Sequence, residues 1–187
     1  MSLIFKSAFL SLLSFSLTPS LTPALGQAAP AAQPQSVAPQ PTAMNRPAVP
    51  AGPLKITFGD KSSEWTPATL ASLPHKTITV YNEHQKAEQT YSGVELIDLL
   101  KPLGVPEKPH GKEFRLYLVA EGSDGYEVVY SVGEATPDVH DGTVLVADSM
   151  DGKALTENGP FQLVATGEKR PARWVRNLAS IHVRPAD

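Results

Sequence analysis

The feature that most restricts the fold is a series of short apolar segments, each closed by turn-forming residues, which begins at Leu54. Leu54–Phe58 alternates apolar and polar side chains and is followed by Gly59-Asp60, as a strand followed by a turn would be. Six further segments predict strands: residues 76–81, 114–120, 128–132, 143–147, 161–165 and 179–183. Only two or three short helices fit between them. We therefore predict an α+β domain with a mixed, largely antiparallel sheet.

Two of the intervening segments predict helices. In residues 66–74, Thr66 is suited to the N-cap, Pro67 to the first helical position and Pro74 to the stop. Residues 91–100 carry the stronger helical pattern, since their apolar side chains fall on one face. These side chains are Val94, Ile97, Leu99 and Leu100. Asp151-Gly152-Lys153 predicts a hairpin turn between two strands.

One polar turn stands out at Gly122-Ser123-Asp124-Gly125-Tyr126, directly before a strand-like run. Glycine accepts positive φ and short polar side chains bond to their own backbone, so this string predicts a tight turn. Such a turn brings Asp124 and Tyr126 to the mouth of a sheet. Residues 170–177 are cationic and aromatic (Arg-Pro-Ala-Arg-Trp-Val-Arg-Asn). An ordinary hairpin turn explains the first string alone, whereas the two together indicate a ligand pocket.

Composition narrows the class of function. The 187 residues carry a formal net charge of -3, which argues against nucleic acid as a partner. The chain has no cysteine, which excludes disulfides, zinc-thiolate sites, iron–sulfur clusters and thiolate catalysis. The five histidines, at positions 75, 84, 110, 140 and 182, show no paired spacing, so we predict no metal site. We predict no catalytic residues, because Gly122-Ser123-Asp124 lacks the spacing of a nucleophile elbow.

The amino-terminal part predicts export. Residues 1–26 combine Lys6, a short apolar run and small residues before a cleavage position, which is typical of a secretory signal peptide. An uncleaved anchor is the alternative. Residues 27–53 are rich in Pro, Ala and Gln and predict a disordered tether, which either extends the reach of the domain or serves as a plain spacer. The predicted domain is then 54–187, in the periplasm.

The folded part resembles the molybdopterin-binding domain of sulfite-oxidase-type proteins. Six motifs carry the resemblance in this order: Thr69-Leu70-Ala71-Ser72-Leu73-Pro74; Tyr91-Ser92-Gly93-Val94-Glu95-Leu96 with Asp98-Leu99-Leu100; Gly122-Ser123-Asp124-Gly125-Tyr126; Asp151-Gly152-Lys153-Ala154-Leu155; Gly159-Pro160-Phe161-Gln162-Leu163-Val164; and Arg173-Trp174-Val175-Arg176-Asn177. The resemblance extends over roughly residues 54–185. The resemblance implies the fold of that domain.

The chain departs from that family at its metal ligand. Sulfite-oxidase-type enzymes bind molybdenum through a cysteine located where this chain reads Tyr81-Asn82-Glu83-His84-Gln85-Lys86. The chain is similar instead to small periplasmic, pterin-responsive members of the superfamily. That similarity implies a sensor and not a catalyst, with a pterin as ligand and no molybdenum. It also implies a protein partner: the periplasmic region of a membrane signalling protein, of the diguanylate cyclase or phosphodiesterase type, that controls cyclic-di-GMP.

A pterin calls for a stacking surface, a carboxylate facing its N–H donors, and cationic or amide donors. The predicted contacts are Trp174, Arg173, Arg176, Asp124, Tyr126, Asn177 and Tyr81. Arg173 and Arg176 would share a face beside Trp174 if they lay in a helical turn. Each residue has a structural alternative: a core tryptophan, solvated arginines, a turn-capping Asp124 or Asn177, and tyrosines of the core.

Two other functions fit the same residues. One is a subunit of a molybdopterin-dependent oxidoreductase that holds its cofactor through pocket contacts alone. The other is an adaptor domain that binds no small molecule. Molybdenum content and pterin binding distinguish the three hypotheses.

Overall fold

The computed structural model of the protein describes residues 52–157 and 159–187. The predicted signal peptide, 1–26, lies outside the described residues, and so does the predicted tether up to residue 51. Among the described residues, no helix has the length and apolar character that crossing a membrane requires.

In the part of the chain that the structure describes, ten strands form two sheets, where the sequence predicts one. The strands are β1 (Leu54–Phe58), β2 (Lys61–Trp65), β3 (Lys76–Asn82), β4 (Ala87–Glu95), β5 (Leu116–Gly122), β6 (Glu127–Ser131), β7 (Val144–Met150), β8 (Lys153–Ala154), β9 (Gln162–Ala165) and β10 (Leu178–Pro185). The first sheet has the order β2-β1-β10-β5-β6. In the second, β3-β4-β7-β8 are consecutive and β9 also pairs with β7. The α+β class is confirmed.

The pairing is antiparallel throughout except between β1 and β10, where Ile56 lies opposite Ile181. The prediction of mixed but largely antiparallel pairing is therefore confirmed. The hairpin turn predicted at 151–153 joins β7 to β8, and both Asp151 (φ 50°) and Gly152 (φ 75°) are left-handed there. Two successive left-handed residues match the right-handed twist of the paired strands. The edge strand β2 was not predicted, since Lys-Ser-Ser-Glu-Trp is polar.

The described residues contain two short α-helices: α1 is Pro67–Leu70 and α2 is Leu96–Leu100. Thr66 caps α1 as predicted, because its side chain accepts a hydrogen bond from the Thr69 backbone while the Thr69 side chain accepts one from Thr66. The helix ends at Leu70, earlier than the predicted stop. Single 3-10 turns occupy Lys101–Leu103, Gly111–Arg115 and Pro171–Arg173.

The prediction of a helix over residues 91–100 is wrong in its first half. Residues up to Glu95 belong to β4, and only Leu96–Leu100 is helical. Val94 lies opposite Val146 of β7, and the register shifts by one residue between Ser92 and Gly93. Pairing with a central strand fixes the backbone here, and it outweighs the helical spacing of the apolar residues.

Both sheets contribute to one hydrophobic cluster. Ile56 and Leu118 come from the first sheet, and Val94 and Val146 from the second. All four side chains are fully buried. Since the sheets are joined through this core, the turns at their ends are held at fixed positions. Three of those segments, together with the start of β9, form the candidate site: the turn after β3, the turn after β5, and the segment that leads into β10.

Candidate functional site

A cavity of about 480 Å³ opens where these three segments meet. Its lining residues are His84, Asp124, Tyr126, Gln162, Pro171, Ala172, Trp174 and Arg176. The volume lies within the range of about 300–1,000 Å³ that small-molecule sites occupy. Four of the seven predicted contacts, Trp174, Arg176, Asp124 and Tyr126, are therefore brought together in the wall of this cavity.

The turn after β5 has the predicted tight geometry. The Gly125 N–H donates to the Gly122 carbonyl at 2.9 Å, and the Tyr126 N–H donates to Asp124 Oδ1 at 3.0 Å. A Cβ atom at position 122 would lie 2.7 Å from Asp124 Oδ1 and 2.8 Å from the Arg176 carbonyl. Glycine is thus required for the turn to approach the Arg176 backbone. Asp124 both closes the turn and lines the cavity, so the two alternatives for it coexist.

The segment from Pro171 to Asn177 is a 3-10 turn followed by two extended residues and a second turn. Its 3-10 turn ends at Arg173, and Trp174 already has strand-like dihedrals (φ −80°, ψ 134°). Val175 then forms a bridge to Leu163. Asn177 is left-handed (φ 49°), and its carbonyl accepts the Ser123 N–H at 2.9 Å. This contact joins the segment to the turn after β5.

Trp174 is a core residue and a wall residue at once. Its side chain is only 6% exposed, and its Nε1–H donates to the Ala165 carbonyl at 3.0 Å. The Tyr91 ring meets the indole edge-on, with ring centres 5.7 Å apart. The indole is therefore held rigidly by the core while part of it lines the cavity.

Arg173 lies away from the cavity, and its predicted sharing of a face with Arg176 is wrong. The helical turn that would align them ends at Arg173 itself. The Arg173 guanidinium binds Glu134 Oε1 through Nη1 at 2.8 Å and Glu168 Oε1 through Nε at 2.9 Å. It also lies 4.5 Å from the centre of the Tyr130 ring, in a cation–π contact. Arg173 thus ties the segment that carries Trp174 to the end of β6.

Two tyrosines of β6 and its preceding turn bind the same segment. The Tyr126 hydroxyl donates to the Ala172 carbonyl, and the Tyr130 hydroxyl donates to the Arg173 carbonyl at 2.8 Å. Burial raises the pKa of the Tyr130 hydroxyl well above its ordinary value, even though the Arg173 charge lowers it. Tyr130 is therefore protonated at neutral pH and keeps its donor role.

The remaining predicted contacts lie outside the cavity wall. Tyr81, at the end of β3, is 51% exposed, and Asn177 serves as the left-handed turn residue described above. Sequence reasoning missed four lining residues: His84, Gln162, Pro171 and Ala172. A signal for Gln162 was present, since an amide in an otherwise apolar strand requires a polar partner. His84 lies in the turn after β3, within the segment 81–86.

The wall is chemically mixed and nearly balanced in charge. Arg176 contributes a cation, Asp124 an anion, and His84 an imidazole. Such a wall can bind a planar polar heterocycle through stacking, ion pairing and hydrogen bonds. Within the described residues, no three His, Asp or Glu side chains lie close enough together to hold a metal ion.

We expect Arg173→Ala to lower the free energy of unfolding by about 1–2 kcal/mol, because it removes two partly solvent-screened ion pairs and the stacking on Tyr130. Burial raises the pKa of Glu134, but hydrogen bonds from the Ser131 backbone and Arg173 outweigh burial and hold that pKa below its usual range. A lowered carboxyl pKa stabilises the fold above the unfolded pKa of about 4.3 and loses that effect as the pH falls through the folded value.

Urea unfolding at neutral and acid pH measures the difference in free energy of unfolding between the wild type and Arg173→Ala. We expect this difference to become smaller as the pH falls through the lowered pKa of Glu134. A stability difference that stays constant, or becomes larger in acid, would show that the Arg173–Glu134 pair contributes no stability.

Comparison of the whole chain with known protein families and with curated proteins gave no match.

Proposed function

We propose that this domain is a periplasmic pterin-binding sensor. It binds a reduced pterin without molybdenum and regulates a membrane signalling protein that controls cyclic-di-GMP. The sulfite-oxidase-like fold that the resemblance implies is part of the same proposal. The observation that carries it is the cavity of about 480 Å³, whose wall combines Trp174, Asp124 and Arg176.

The wall residues offer the chemical groups that a pterin requires. The indole of Trp174 offers an aromatic surface that the core holds in place. Asp124 Oδ1 accepts the Tyr126 N–H within the turn, while the rest of the side chain stays exposed at the cavity. Arg176 supplies a donor for the pterin carbonyl. A flat ring with N–H donors on one edge and a carbonyl beside them would engage all three.

Molybdenum does not suit the same wall. The sequence contains no cysteine, and the turn after β3 presents His84 in the segment where the resemblance places the thiolate. Imidazole and carboxylate are harder ligands than thiolate, so this donor set does not reproduce that metal site. The oxidoreductase alternative would have to hold its cofactor through the organic part alone.

The proposed partner is the periplasmic region of a membrane protein of the diguanylate cyclase or phosphodiesterase type. The predicted signal peptide and tether support this, since they would export the domain and give it reach. The ligand would then change the affinity of the domain for that partner by its differential binding to the free and docked forms.

Anaerobic calorimetric titration with 6-methyltetrahydropterin tests the proposal. We expect the wild type to bind, and both Asp124→Asn and Arg176→Ala to bind about tenfold or more weakly, because each loses a charge-assisted hydrogen bond. Asn at 124 still offers an oxygen to the Tyr126 N–H, so the turn is preserved. Arg184→Ala is the matched control: Arg184 is exposed on β10 and does not line the cavity.

Each alternative gives a different result. Stoichiometric molybdenum in the purified protein would favour the oxidoreductase subunit. No heat of binding with the pterin, together with no pterin in a denatured extract, would favour the adaptor. Equal affinity of Arg184→Ala and Arg176→Ala would place the pterin elsewhere on the domain.

A further inference from the structure

Gln162 is a buried amide with an unsatisfied oxygen in the wall of the cavity. It lies in β9 and is only 2% exposed, yet its Oε1 accepts no hydrogen bond from any described residue. The Ser123 Oγ, in the turn that carries Asp124, shares this property. A buried polar atom without a partner costs about 1–3 kcal/mol, and such atoms are rare in folded proteins. A donor from a bound molecule would remove this cost.

A row of buried polar groups fixes which way the Gln162 amide points. The Tyr91 hydroxyl donates to Gln89 Oε1 at 3.0 Å, and Asn82 Nδ2 donates to the same oxygen at 2.7 Å. The Tyr91 hydroxyl proton is therefore committed, and its oxygen is left as an acceptor. Burial raises the pKa of Tyr91, and the neighbouring Gln162 side chain acts in the opposite direction.

This arrangement assigns the two ends of the amide. Nε2 is the end of the amide that suits the Tyr91 oxygen, because an oxygen there would meet another oxygen whose proton is already donated to Gln89. Oε1 is left as the end without a partner. Gln162 thus offers the site an acceptor of fixed orientation, and Asp124 offers a second acceptor on the same wall.

From these contacts we infer that Gln162 determines specificity: its Oε1 accepts an N–H of a ligand that presents a 2-aminopyrimidin-4-one edge to the wall shared with Asp124. The inference rests on the proposed function and narrows it to one edge of the ligand. That edge carries adjacent N–H donors, which two acceptors can satisfy. A pyrimidinedione carries a carbonyl in place of the amino group and would bring oxygen against Gln162 Oε1.

Pterins and guanine share this edge, so the test includes a ligand of each class. The affinities of 6-methyltetrahydropterin, guanosine and 6-methyltetrahydrolumazine are measured by anaerobic calorimetry on the full chain. Tetrahydrolumazine differs from tetrahydropterin by oxygen in place of the 2-amino group. We expect the wild type to prefer the pterin over the lumazine by about tenfold or more, because the mismatched ligand leaves the buried acceptor unpaired.

Two variants locate that preference. Gln162→Met keeps the volume but removes the acceptor, so the preference for pterin over lumazine is expected to fall to about twofold or less. Tyr91→Phe removes the phenol oxygen that orients the amide, so the amide is free to turn and the preference is expected to fall while pterin still binds. Urea unfolding of both variants establishes that they are folded before their affinities are compared.

The outcomes separate the inference from the proposed function. A wild type that binds pterin, with Gln162→Met retaining the full preference, would overturn the role of Gln162 and leave the pterin site standing. A wild type that binds none of the three compounds would overturn both. Tighter binding of guanosine than of the pterin would support recognition of the 2-aminopyrimidin-4-one edge. It would overturn the proposal that the ligand carrying this edge is a pterin.

Discussion

Gly93→Ala is expected to prevent the domain from folding, with a loss of more than about 4 kcal/mol in the free energy of unfolding. A Cβ atom at this position would lie 2.1 Å from the Val146 carbonyl oxygen and 2.5 Å from the Ala147 Cα. Both neighbours are backbone atoms of β7, so no side-chain rotation relieves the overlap. The two central strands of the second sheet would have to separate, and the buried residues Tyr91 and Val94 beside them would lose their packing.

The sign of this effect distinguishes the strand from the helix that the sequence predicts. In a helix spanning residues 91–100, alanine would be favoured over glycine by about 1 kcal/mol. In β4 it is strongly disfavoured. Gly133→Ala is the matched control, because a Cβ there would meet Val139 Cγ1 at an ordinary 3.6 Å. We expect the control to change the stability by less than about 1 kcal/mol.

Circular dichroism and urea unfolding of the two alanine variants measure the difference. A Gly93→Ala protein that unfolds at the same urea concentration as Gly133→Ala would show that β4 and β7 do not approach each other this closely at Gly93.

The sequence predicts most of the strands because their signal is local. In β1 the alternation of side chains and the closing glycine lie within seven residues, and the paired strand β10 adds nothing that the prediction needs. Gly93 is the opposite case. Its constraint comes from Val146, more than fifty residues later, and no pattern within residues 91–100 reports that contact.

The residues of the candidate site also fall into two groups: those that a local pattern predicts and those whose position depends on distant contacts. Asp124 and Tyr126 were predictable because a short glycine-flanked turn fixes both positions. Arg173 was misplaced because spacing alone does not reveal Glu134 and Glu168, which hold its guanidinium away from the cavity. Gln162 stands out in the sequence as an amide in an apolar strand, but its place at the cavity required the fold, since the second sheet brings β9 there.

Trp174→Ala is expected to lower the free energy of unfolding by about 3–5 kcal/mol, as large truncations in cores do. The sequence alone suggests a variant that loses the pterin and keeps the fold. The structure argues otherwise, because the indole is 6% exposed, packs edge-on against Tyr91 and donates to the Ala165 carbonyl. Loss of pterin binding in this variant would therefore not distinguish a missing ligand contact from a missing fold.

Trp174→Phe separates the two effects. It keeps an aromatic ring in the core and removes the Nε1–H donor to Ala165, at a cost of about 1–3 kcal/mol in stability. With less aromatic surface at the cavity, the affinity for 6-methyltetrahydropterin is expected to fall about two- to tenfold. Trp65→Phe is the matched control: Trp65 is partly buried, donates its own Nε1–H to Ser63 at 3.1 Å and does not line the cavity. Because the control loses a similar hydrogen bond, equal pterin affinities of the two Phe variants would remove Trp174 from the binding site, whereas a weaker affinity of Trp174→Phe alone would place the ligand against the indole.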